Sequence, residues 1–317
     1  MRMILRPPDK ETLAASLRSA HESWCAVQGA DISAMNRILR HTPEDMTAKV
    51  EAGMTLGEFQ RALARCGQWL PIDPPSPDAL TIAALIAHNV SGPRRCGFGT
   101  IRDHLIGLEV AFADGRLVKS GGNVVKNVAG YDLLKLFVGA RDSLGFVVEA
   151  SFKLLPLPEE ERFLRMTCQS LEEACRAIES VVDSELTPVV LDLYRVPEGG
   201  TPAMPTLVLG FAGTREEVDW QVGRATTLGI TEPTDLDHES RFWSVAGIVP
   251  RAVSVLPSRL IETVRSLGDE PFVARAGNGV IFHRGDLGSN TADIPTKLVH
   301  RVKEIFDPHH ILPGIPT

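Results

Sequence analysis

Glycines are concentrated between Pro74 and Gly145, and their spacing is the first feature of this sequence that could bind a ligand. Glycine permits positive φ and lets a ligand approach the backbone closely. Backbone N–H groups exposed in this way can bind a pyrophosphate or a ring carbonyl. Hairpin turns need glycine as well, so the residue type alone leaves both roles open. The glycines concerned are Gly92, Gly97, Gly99, Gly107, Gly115, Gly121, Gly122, Gly130, Gly139 and Gly145.

Two common nucleotide-binding motifs are not found in this region. A Rossmann site needs G-x-G-x-x-G between a strand and a helix. Gly97 and Gly99 are followed by Thr100-Ile101-Arg102, so the third glycine is missing. The sequence has no Walker loop either. A nicotinamide-dependent dehydrogenase of the Rossmann type is therefore not indicated.

A few polar side chains could act in catalysis or bind an anion. Arg94 and Arg95 could bind a carboxylate or a phosphate, or could pair with a neighbouring acid. Cys96 has cationic neighbours that could lower its pKa, but without a catalytic partner it is interpreted as structural. Arg275 and His283 are catalytic candidates in an expected β-hairpin, where alternating outward polar groups are the simpler interpretation. The catalytic base stays unknown.

Composition excludes several other classes of function. The five cysteines include no C-x-x-C pair, so neither zinc nor an iron–sulfur cluster is predicted. His309-His310 resembles a metal pair only superficially, because it lies beside a terminal turn. The net charge of -7 and the pI of about 5.8 argue against nucleic acid as a partner. No apolar stretch approaches the ~20 residues of a membrane span, and scattered cysteines suit a reducing cytoplasm.

The elements that must position these residues begin with a β-α-β pattern. Asp9 is expected to cap a helix over 10–22, which a strand over 24–27 follows. Thr55 and Glu58 form a capping box that opens a helix over 56–66. Further along, the pattern predicts a strand over 47–51, a short helix over 79–87, a hairpin at Asp114-Gly115, a helix over 131–140 and a strand over 145–154.

Strands and helices also alternate in the second half. Pro156 and Pro158, followed by Glu159-Glu160-Glu161, indicate a domain boundary. Capping boxes at Ser170 and Thr214 open two of the helices. The pattern predicts an α+β layer, an antiparallel sheet with helices on one face.

Three longer strings carry a resemblance to a known family. They are residues 67–75 (GQWLPIDPP), residues 89–95 (NVSGPRR) continuing to Arg102-Asp103, and residues 121–132 (GGNVVKNVAGYD). These strings resemble the FAD-binding E subunits of bacterial glycolate oxidase, which belong to the vanillyl-alcohol-oxidase (PCMH-type) flavoprotein superfamily. Residues 138–145 (VGARDSLG) are similar to the G-x-x-G-T-L-G segment of that superfamily. Phe306-Asp307-Pro308 with Leu312-Pro313-Gly314 is similar to its terminal motif.

The resemblance implies a fold and a division into domains. Residues 1–157 would form a PCMH-type FAD-binding domain made of two α+β subdomains. Residues 158–317 would form an α+β, ferredoxin-like cap domain. The last stretch of about 15 residues would return to the FAD domain.

The resemblance also implies a non-covalent FAD and a set of residues that contact it. Thr81 to Ala84 would approach the pyrophosphate. Ser91, Gly92, Gly99 and Thr100 would line the flavin side. Gly139, Ser143, Gly145 and Val147 would contact the cofactor mostly through backbone. The full set is Gly29, Pro74, Thr81, Ile82, Ala83, Ala84, Asn89, Ser91, Gly92, Gly99, Thr100, Asp103, Gly139, Ser143, Gly145 and Val147.

Two departures from the family pattern both affect the pyrophosphate. Relatives have a glycine-rich loop after the second strand, whereas here Gly29-Ala30 runs directly into Asp31-Ile32. Relatives also have two glycines where this chain has Ala83-Ala84. Alanine adds a methyl group and disfavours positive φ. Both changes predict weakened binding of FAD.

The activity implied by the resemblance is oxidation of glycolate, or a related 2-hydroxy acid, to the 2-oxo acid. The chain would act as the FAD-binding subunit, beside a D-type flavoprotein subunit and an iron–sulfur subunit. Electrons would leave through a partner, because the chain has no cluster cysteines. The alternative is a non-catalytic structural subunit of the same complex that has lost tight FAD binding. A cytoplasmic location is expected, with membrane association only through partner subunits.

Overall fold

The computed structural model describes residues 3–122, 133–197, 203–245, 250–285 and 296–315. The chain divides into two compact units. The first takes in the described parts of Met1–Ser91, Thr100–Leu157 and Asp293–Thr317, and the second those of Gly92–Gly99 and Pro158–Ala292. The string at 123–132, which carries part of the family resemblance, lies outside the described residues.

The elements up to residue 157 include the strands that the structure describes in the first unit. In chain order they are β1 (Met3–Leu5), α1 (Lys10–Glu22), β2 (Val27–Ala30), β3 (Ile38–Thr42), β4 (Thr47–Glu51), α2 (Leu56–Ala64), β5 (Gln68–Trp69), α3 (Ile82–His88), α4 (Arg95–Phe98), α5 (Ile101–His104), β6 (Leu105–Ala111), β7 (Leu117–Gly121), α6 (Leu134–Phe137), β8 (Phe146–Lys153) and β9 (Leu155–Pro156), with a 3-10 turn at Pro43–Asp45.

The remaining elements, together with α4, form the second unit, except for the last helix. They are β10 (Glu160–Thr167), α7 (Leu171–Val182), β11 (Val190–Arg195), β12 (Thr206–Gly213), α8 (Arg215–Thr227), β13 (Glu232–Thr234), α9 (Asp237–Trp243), β14 (Arg251–Ser254), α10 (Leu260–Ser266), β15 (Phe272–Arg275), β16 (Val280–His283) and α11 (Thr296–Phe306), with a 3-10 turn at Pro257–Arg259.

The β-α-β start of the first unit is confirmed. The carboxylate of Asp9 accepts a hydrogen bond from Thr12 N–H at 2.7 Å, which caps α1 as the sequence predicts. The strands β1 and β2, which precede and follow that helix in the sequence, pair in parallel with each other. The expected strand over 24–27 is wrong, because Trp24 has φ +55° and Cys25 N–H donates to Ala20 O at the end of α1. The strand begins at Val27 instead.

The first unit also contains a five-stranded antiparallel sheet in the order β3-β4-β8-β6-β7. One face is apolar and packs into the core through residues such as Val50, Leu108 and Phe152. The other face is charged and carries Lys49, Glu109 and Glu149. The short helix predicted over 79–87 forms as α3, three residues later at its start.

The second unit has the predicted ferredoxin-like arrangement. Its first four strands lie in the order β13-β10-β12-β11, all antiparallel, and α7 and α8 connect them as in a βαββαβ fold. The strands β15, β16 and β14 extend the sheet beyond β11. Helices α7, α8 and α10 pack on one face, as expected. Phe242 of α9 packs against the other face.

Residues 92–99 belong to the second unit, although their sequence neighbours belong to the first. Gly97 N–H donates to Val189 O at 3.2 Å. A methyl group at Gly97 would lie 2.8 Å from the Cα of Val189, so the two backbones touch closely there. Among the described residues, no helix combines the length and apolar composition needed to cross a membrane.

Candidate cofactor site

The N-terminus of α3 carries four of the residues predicted to approach a pyrophosphate, Thr81 to Ala84. Thr81 is the N-cap, and its hydroxyl accepts from Ala84 N–H at 3.2 Å. The first four N–H groups of a helix have no partner within the helix and are the donors that an anion would use. Here Ile82 N–H donates to Met54 O at 2.9 Å, and Ala83 N–H donates to Ala52 O at 2.7 Å. The chain itself therefore satisfies these donors.

The connection between β2 and β3, residues 31–37, lies against the turn that supplies those two carbonyl groups. Ile32 and Met35 are buried in the core. Gly53 N–H donates to Met35 O at 2.9 Å. A methyl group at Gly53 would lie 1.9 Å from the carbonyl oxygen of Ile32, so only glycine allows this approach. The connection that lacks the family's glycine-rich loop is thus a packed part of the structure.

Arg37 fixes the end of this connection. Its backbone N–H donates to Glu51 at 2.8 Å, and its guanidinium reaches the same carboxylate at 2.7 Å. This pairing lowers the pKa of Glu51, so the carboxylate stays charged. Sequence reasoning missed this pair, because its two residues are 14 positions apart and no motif contains both.

At its other end, α3 contacts the segment 139–145, which was predicted to contact the cofactor mostly through its backbone. Gly139 N–H donates to Ile86 O at 3.0 Å, and Arg141 N–H donates to Ala87 O at 2.9 Å. These bonds use carbonyl groups that the end of a helix leaves without partners. Gly139 has φ +84°, and Asn89, the C-cap of α3, has φ 49°. The helix therefore ends in left-handed conformations that glycine and asparagine tolerate.

Asp142 stands in the same segment with φ +61°. Burial raises the pKa of its carboxyl group to about 6. Arg141 also has positive φ, at 48°. Two adjacent side-chain-bearing residues with positive φ store backbone strain, and such strain is concentrated at functional sites.

Ser143, Gly145 and Val147 lie at the start of β8 and are buried. Gly145 has φ +153°, and a methyl group there would lie 2.6 Å from Val110. The Ser143 hydroxyl donates to Ala140 O at 2.6 Å. Lys303 of α11, which is buried, donates to Ser143 O at 2.8 Å. The segment that leads into β8 is thus fixed from both sides.

Lys303 also connects this segment to the terminal motif. Its ammonium group contacts Asp307 at 2.6 Å and Pro313 O at 3.0 Å. Asp307 accepts from the N–H groups of Ile311 and Leu312. Sequence reasoning did not single out Lys303. The available signal was the i, i+4 spacing of a lysine and an aspartate ahead of a Pro-rich turn.

The other predicted cofactor residues are distributed over both units. Gly29 lies within β2, and a methyl group there would have no neighbour within 4 Å. Pro74 and Ser91 are buried. Thr100 and Asp103 form a capping box at the start of α5 and so engage each other. Gly92 and Gly99 belong to the second unit, whereas the other predicted contacts belong to the first.

The charged face of the five-stranded sheet bears a network of buried acids and lysines. Lys10 contacts Glu109 at 2.9 Å and Glu149 at 2.5 Å, and Lys49 also pairs with Glu149. Burial alone would raise the pKa of Glu149, but its hydrogen bonds from the two lysines lower it to about 2. A cavity of about 190 Å³ lies beside the network and is lined by Lys119 and Ser151 among others.

In the second unit, Asp192, His238 and Glu239 lie close enough together to hold a metal ion. However, Arg275 lies among them and contacts Asp192 at 2.5 Å and Glu239 at 2.7 Å. A guanidinium thus supplies the positive charge that these carboxylates need. Arg275 and His283 form the predicted hairpin but are buried, so the expected outward orientation of their side chains is wrong.

The remaining polar candidates have structural partners. Arg94 pairs with Glu161 through two hydrogen bonds of 2.8 Å, which supports the ion-pair alternative over anion binding. Burial, with the nearby charge of Asp192, raises the pKa of Cys96 to about 11. A thiol with so high a pKa is protonated near neutral pH and is a poor nucleophile.

The fold is that of a PCMH-type flavoenzyme. Two solved structures of alkyldihydroxyacetonephosphate synthase, from crystals in space groups P1 and P212121, match this chain with TM-scores of 0.73 and 0.75. Each match covers 97% of this chain and 76% of the other, at 16% sequence identity. Residues 28–121 also match the family described as FAD binding domain.

Relatives with higher sequence identity are oxidoreductases. The chain is 37% identical to glycolate oxidase subunit GlcD of Bacillus subtilis over 51% of its length, which is 35% of that protein. It is 36% identical to glycolate oxidase subunit GlcE of Escherichia coli over 48% of its length, 43% of that protein. A D-lactate dehydrogenase of Archaeoglobus fulgidus matches at 27% over 60% of the chain, 46% of that protein. Each match thus covers less than half of the relative.

These matches agree with the fold. The chain carries a PCMH-type FAD-binding domain over residues 28–121 and is similar to oxidoreductases over about half of its length. The start of α3 shows how well the residues present fit FAD. The donors expected to face the pyrophosphate are already paired with Ala52 O, Met54 O and the Thr81 hydroxyl, so this subsite does not fit a diphosphate.

Proposed function

We propose that this chain is a subunit of a complex that oxidises glycolate, or a related 2-hydroxy acid, to the 2-oxo acid. The observation that carries the proposal is the similarity of one chain to two glycolate oxidase subunits, GlcD and GlcE, at 37% and 36% identity. A D-type flavoprotein subunit and an iron–sulfur subunit are the proposed partners. FAD, where it is bound in such a complex, accepts the hydride equivalent from the hydroxy acid.

The polar clusters of this chain support dependence on partners. Arg275, a catalytic candidate that could bind a carboxylate, is engaged by Asp192 and Glu239. His283 is buried, with Nδ1 at 3.0 Å from Gly285 O. A hydroxy acid needs both a cation for its carboxylate and a base for its hydroxyl proton. Among the described residues, these two candidates therefore do not form a complete substrate site.

The test is to express the chain with and without the two partner subunits. We expect the three proteins to co-purify and to reduce an artificial acceptor with glycolate. The chain alone should not do so. Glycolate oxidation by the chain without partners would contradict the dependence on a complex. Failure to co-purify with both partners would contradict membership in it.

A second candidate is a subunit of the same complex that gives structural support without binding FAD tightly. The specific observation in its favour is the paired N-terminus of α3. The visible spectrum of the purified complex distinguishes the two candidates. Two flavins per complex would favour a flavin in this chain, and one flavin would favour the structural subunit.

A further inference from the structure

The first unit contains a segment of its own chain at the place where the family resemblance expects the FAD pyrophosphate. This segment, residues 31–37, is called the strap here. It runs from the end of β2 to the start of β3 and is fixed at both ends. Asp31 N–H donates to Leu5 O at 2.8 Å, and Arg37 pairs with Glu51.

The strap lies on the turn at residues 52–54, and this turn takes the donors of α3. Gly53 N–H donates to Met35 O in the strap, while Ala52 O and Met54 O accept from Ala83 and Ile82. The turn thus joins the strap to the helix start by main-chain hydrogen bonds. A diphosphate would have to break the two bonds to α3 before it could use those N–H groups.

The main-chain groups at this place are also unsuited to a diphosphate. Carbonyl oxygens lie on both sides of this turn: those of Ile32 and Met35 in the strap lie beside Gly53, and those of Ala52 and Met54 accept from the helix start. Carbonyl oxygens accept hydrogen bonds and carry negative partial charge, so they repel phosphate oxygens. A pyrophosphate cradle needs N–H donors that point outward.

From this arrangement we infer that the chain gives the adenosine diphosphate half of FAD no binding subsite, because the strap and the turn at 52–54 replace it. This inference rests on the proposed function, since it concerns the cofactor of that family. It adds to that function that any affinity of the chain for a flavin comes from contacts with the flavin-ring half of the cofactor. The chain should therefore bind FAD and riboflavin about equally.

The experiment measures the dissociation constants of the purified full-length chain for FAD and for riboflavin by quenching of flavin fluorescence. A charge-assisted hydrogen bond to a phosphate corresponds to roughly 10- to 100-fold in affinity. Without such bonds, the two constants should agree within about tenfold. Binding of neither flavin would also support the inference. A preference for FAD of about 100-fold or more would overturn it.

Two variants locate the effect. G29A adds a methyl group with no neighbour within 4 Å, so the fold should tolerate it. If Gly29 contacts a diphosphate, G29A must weaken the binding of FAD more than the binding of riboflavin. That result would contradict the inference. In a second variant, a longer glycine-rich loop replaces residues 31–36, and A83G and A84G are added. This variant should gain preference for FAD while its riboflavin constant stays unchanged.

The result of the flavin-binding experiment can be distinguished from the result of the co-purification test of the proposed function. Co-purification with the partner subunits reports on membership in the complex and does not depend on flavin. A chain that assembles but shows no preference for FAD supports both proposals. A chain that prefers FAD strongly but does not assemble contradicts both.

Discussion

Individual residues of the candidate site have roles that their positions in the sequence only partly reveal. The glycine pattern correctly indicated backbone of positive φ at Gly99, Gly139 and Gly145. It could not indicate that the backbone N–H groups of Ile82 and Ala83 donate to carbonyl groups about 30 residues earlier. Spacing reports local conformation, whereas a donor's partner depends on tertiary packing. The roles of the predicted cofactor contacts therefore stay predictions.

Loss of the buried Lys303 side chain should destabilise the first unit. Replacing it by methionine leaves the fully buried carboxylate of Asp307 without its cation. Removal of one partner of a buried ion pair costs about 3 kcal/mol or more. We expect K303M to lower the unfolding midpoint in urea. The matched control is K297M on the exposed face of the same helix, which should change little. Equal effects of the two substitutions would contradict the assigned role.

Asp142 should make stability depend on pH near neutrality. Its folded-state pKa of about 6 lies above the value of about 4 for an unfolded chain. A raised pKa means that the protonated form is favoured on folding. The associated stability is present below about pH 4 and is lost as the pH rises through 6.

The variant D142N removes this ionisation and keeps a side chain that tolerates positive φ. At pH 8 it should be more stable than the wild type by about 1 kcal/mol, a value reduced for the partial exposure of the side chain. At pH 4 the two proteins should unfold at the same midpoint. Thermal unfolding at several pH values provides the measurement. A pH-independent difference would show that backbone conformation, and not the charge, is responsible.

At the scale of elements, the sequence was most informative where side chains cap helices. Asp9, Thr55, Ser170 and Thr214 each cap the helix that they were expected to cap. The strand β3 was missed, because none of its residues is buried and it shows no alternation of polar and apolar positions. The strap was recognised as a shortened loop, but its packing on Gly53 depends on a contact that no local pattern encodes.

The helix α1 should be held to the sheet by Lys10. Its ammonium group lies between Glu109 and Glu149, which face each other on β6 and β8. The variant K10M leaves two buried carboxylates opposite each other with less compensation, which should cost about 2 kcal/mol. Circular dichroism during urea unfolding measures the loss. The control K119M removes a lysine that is mostly exposed and 3.9 Å from Glu109, and it should have a smaller effect.

The same network predicts how the protein responds to acid. The pKa of Glu149 is about 2 in the folded state, below the unfolded value of about 4.5. A lowered pKa gives stability that is present above pH 4.5 and is lost as the pH falls toward 2. In K10M the carboxylate loses one of the hydrogen bonds that lower its pKa. Acid unfolding should therefore begin at a higher pH in K10M than in the wild type.

At the scale of the whole molecule, composition indicated a boundary near residue 158, and the structure divides the chain into two units. The sequence did not indicate that residues 92–99 pack with the second unit. This short stretch shows no shift in composition, and it reaches the second unit through contacts such as that of Gly97 with Val189. A segment that crosses between units is recognised only when its distant partner is known.

That contact leads to a prediction about the second unit. In G97A the new methyl group would lie 2.8 Å from the Cα of Val189, and backbone cannot move away as a flexible side chain could. Such overpacking costs about 1–3 kcal/mol. The matched control is G223A in α8, where a methyl group has no neighbour within 4 Å and should stabilise the helix by about 1 kcal/mol. The two substitutions should thus shift the unfolding midpoint in opposite directions. Stabilisation by G97A would mean that residues 92–99 do not pack on β11 in solution.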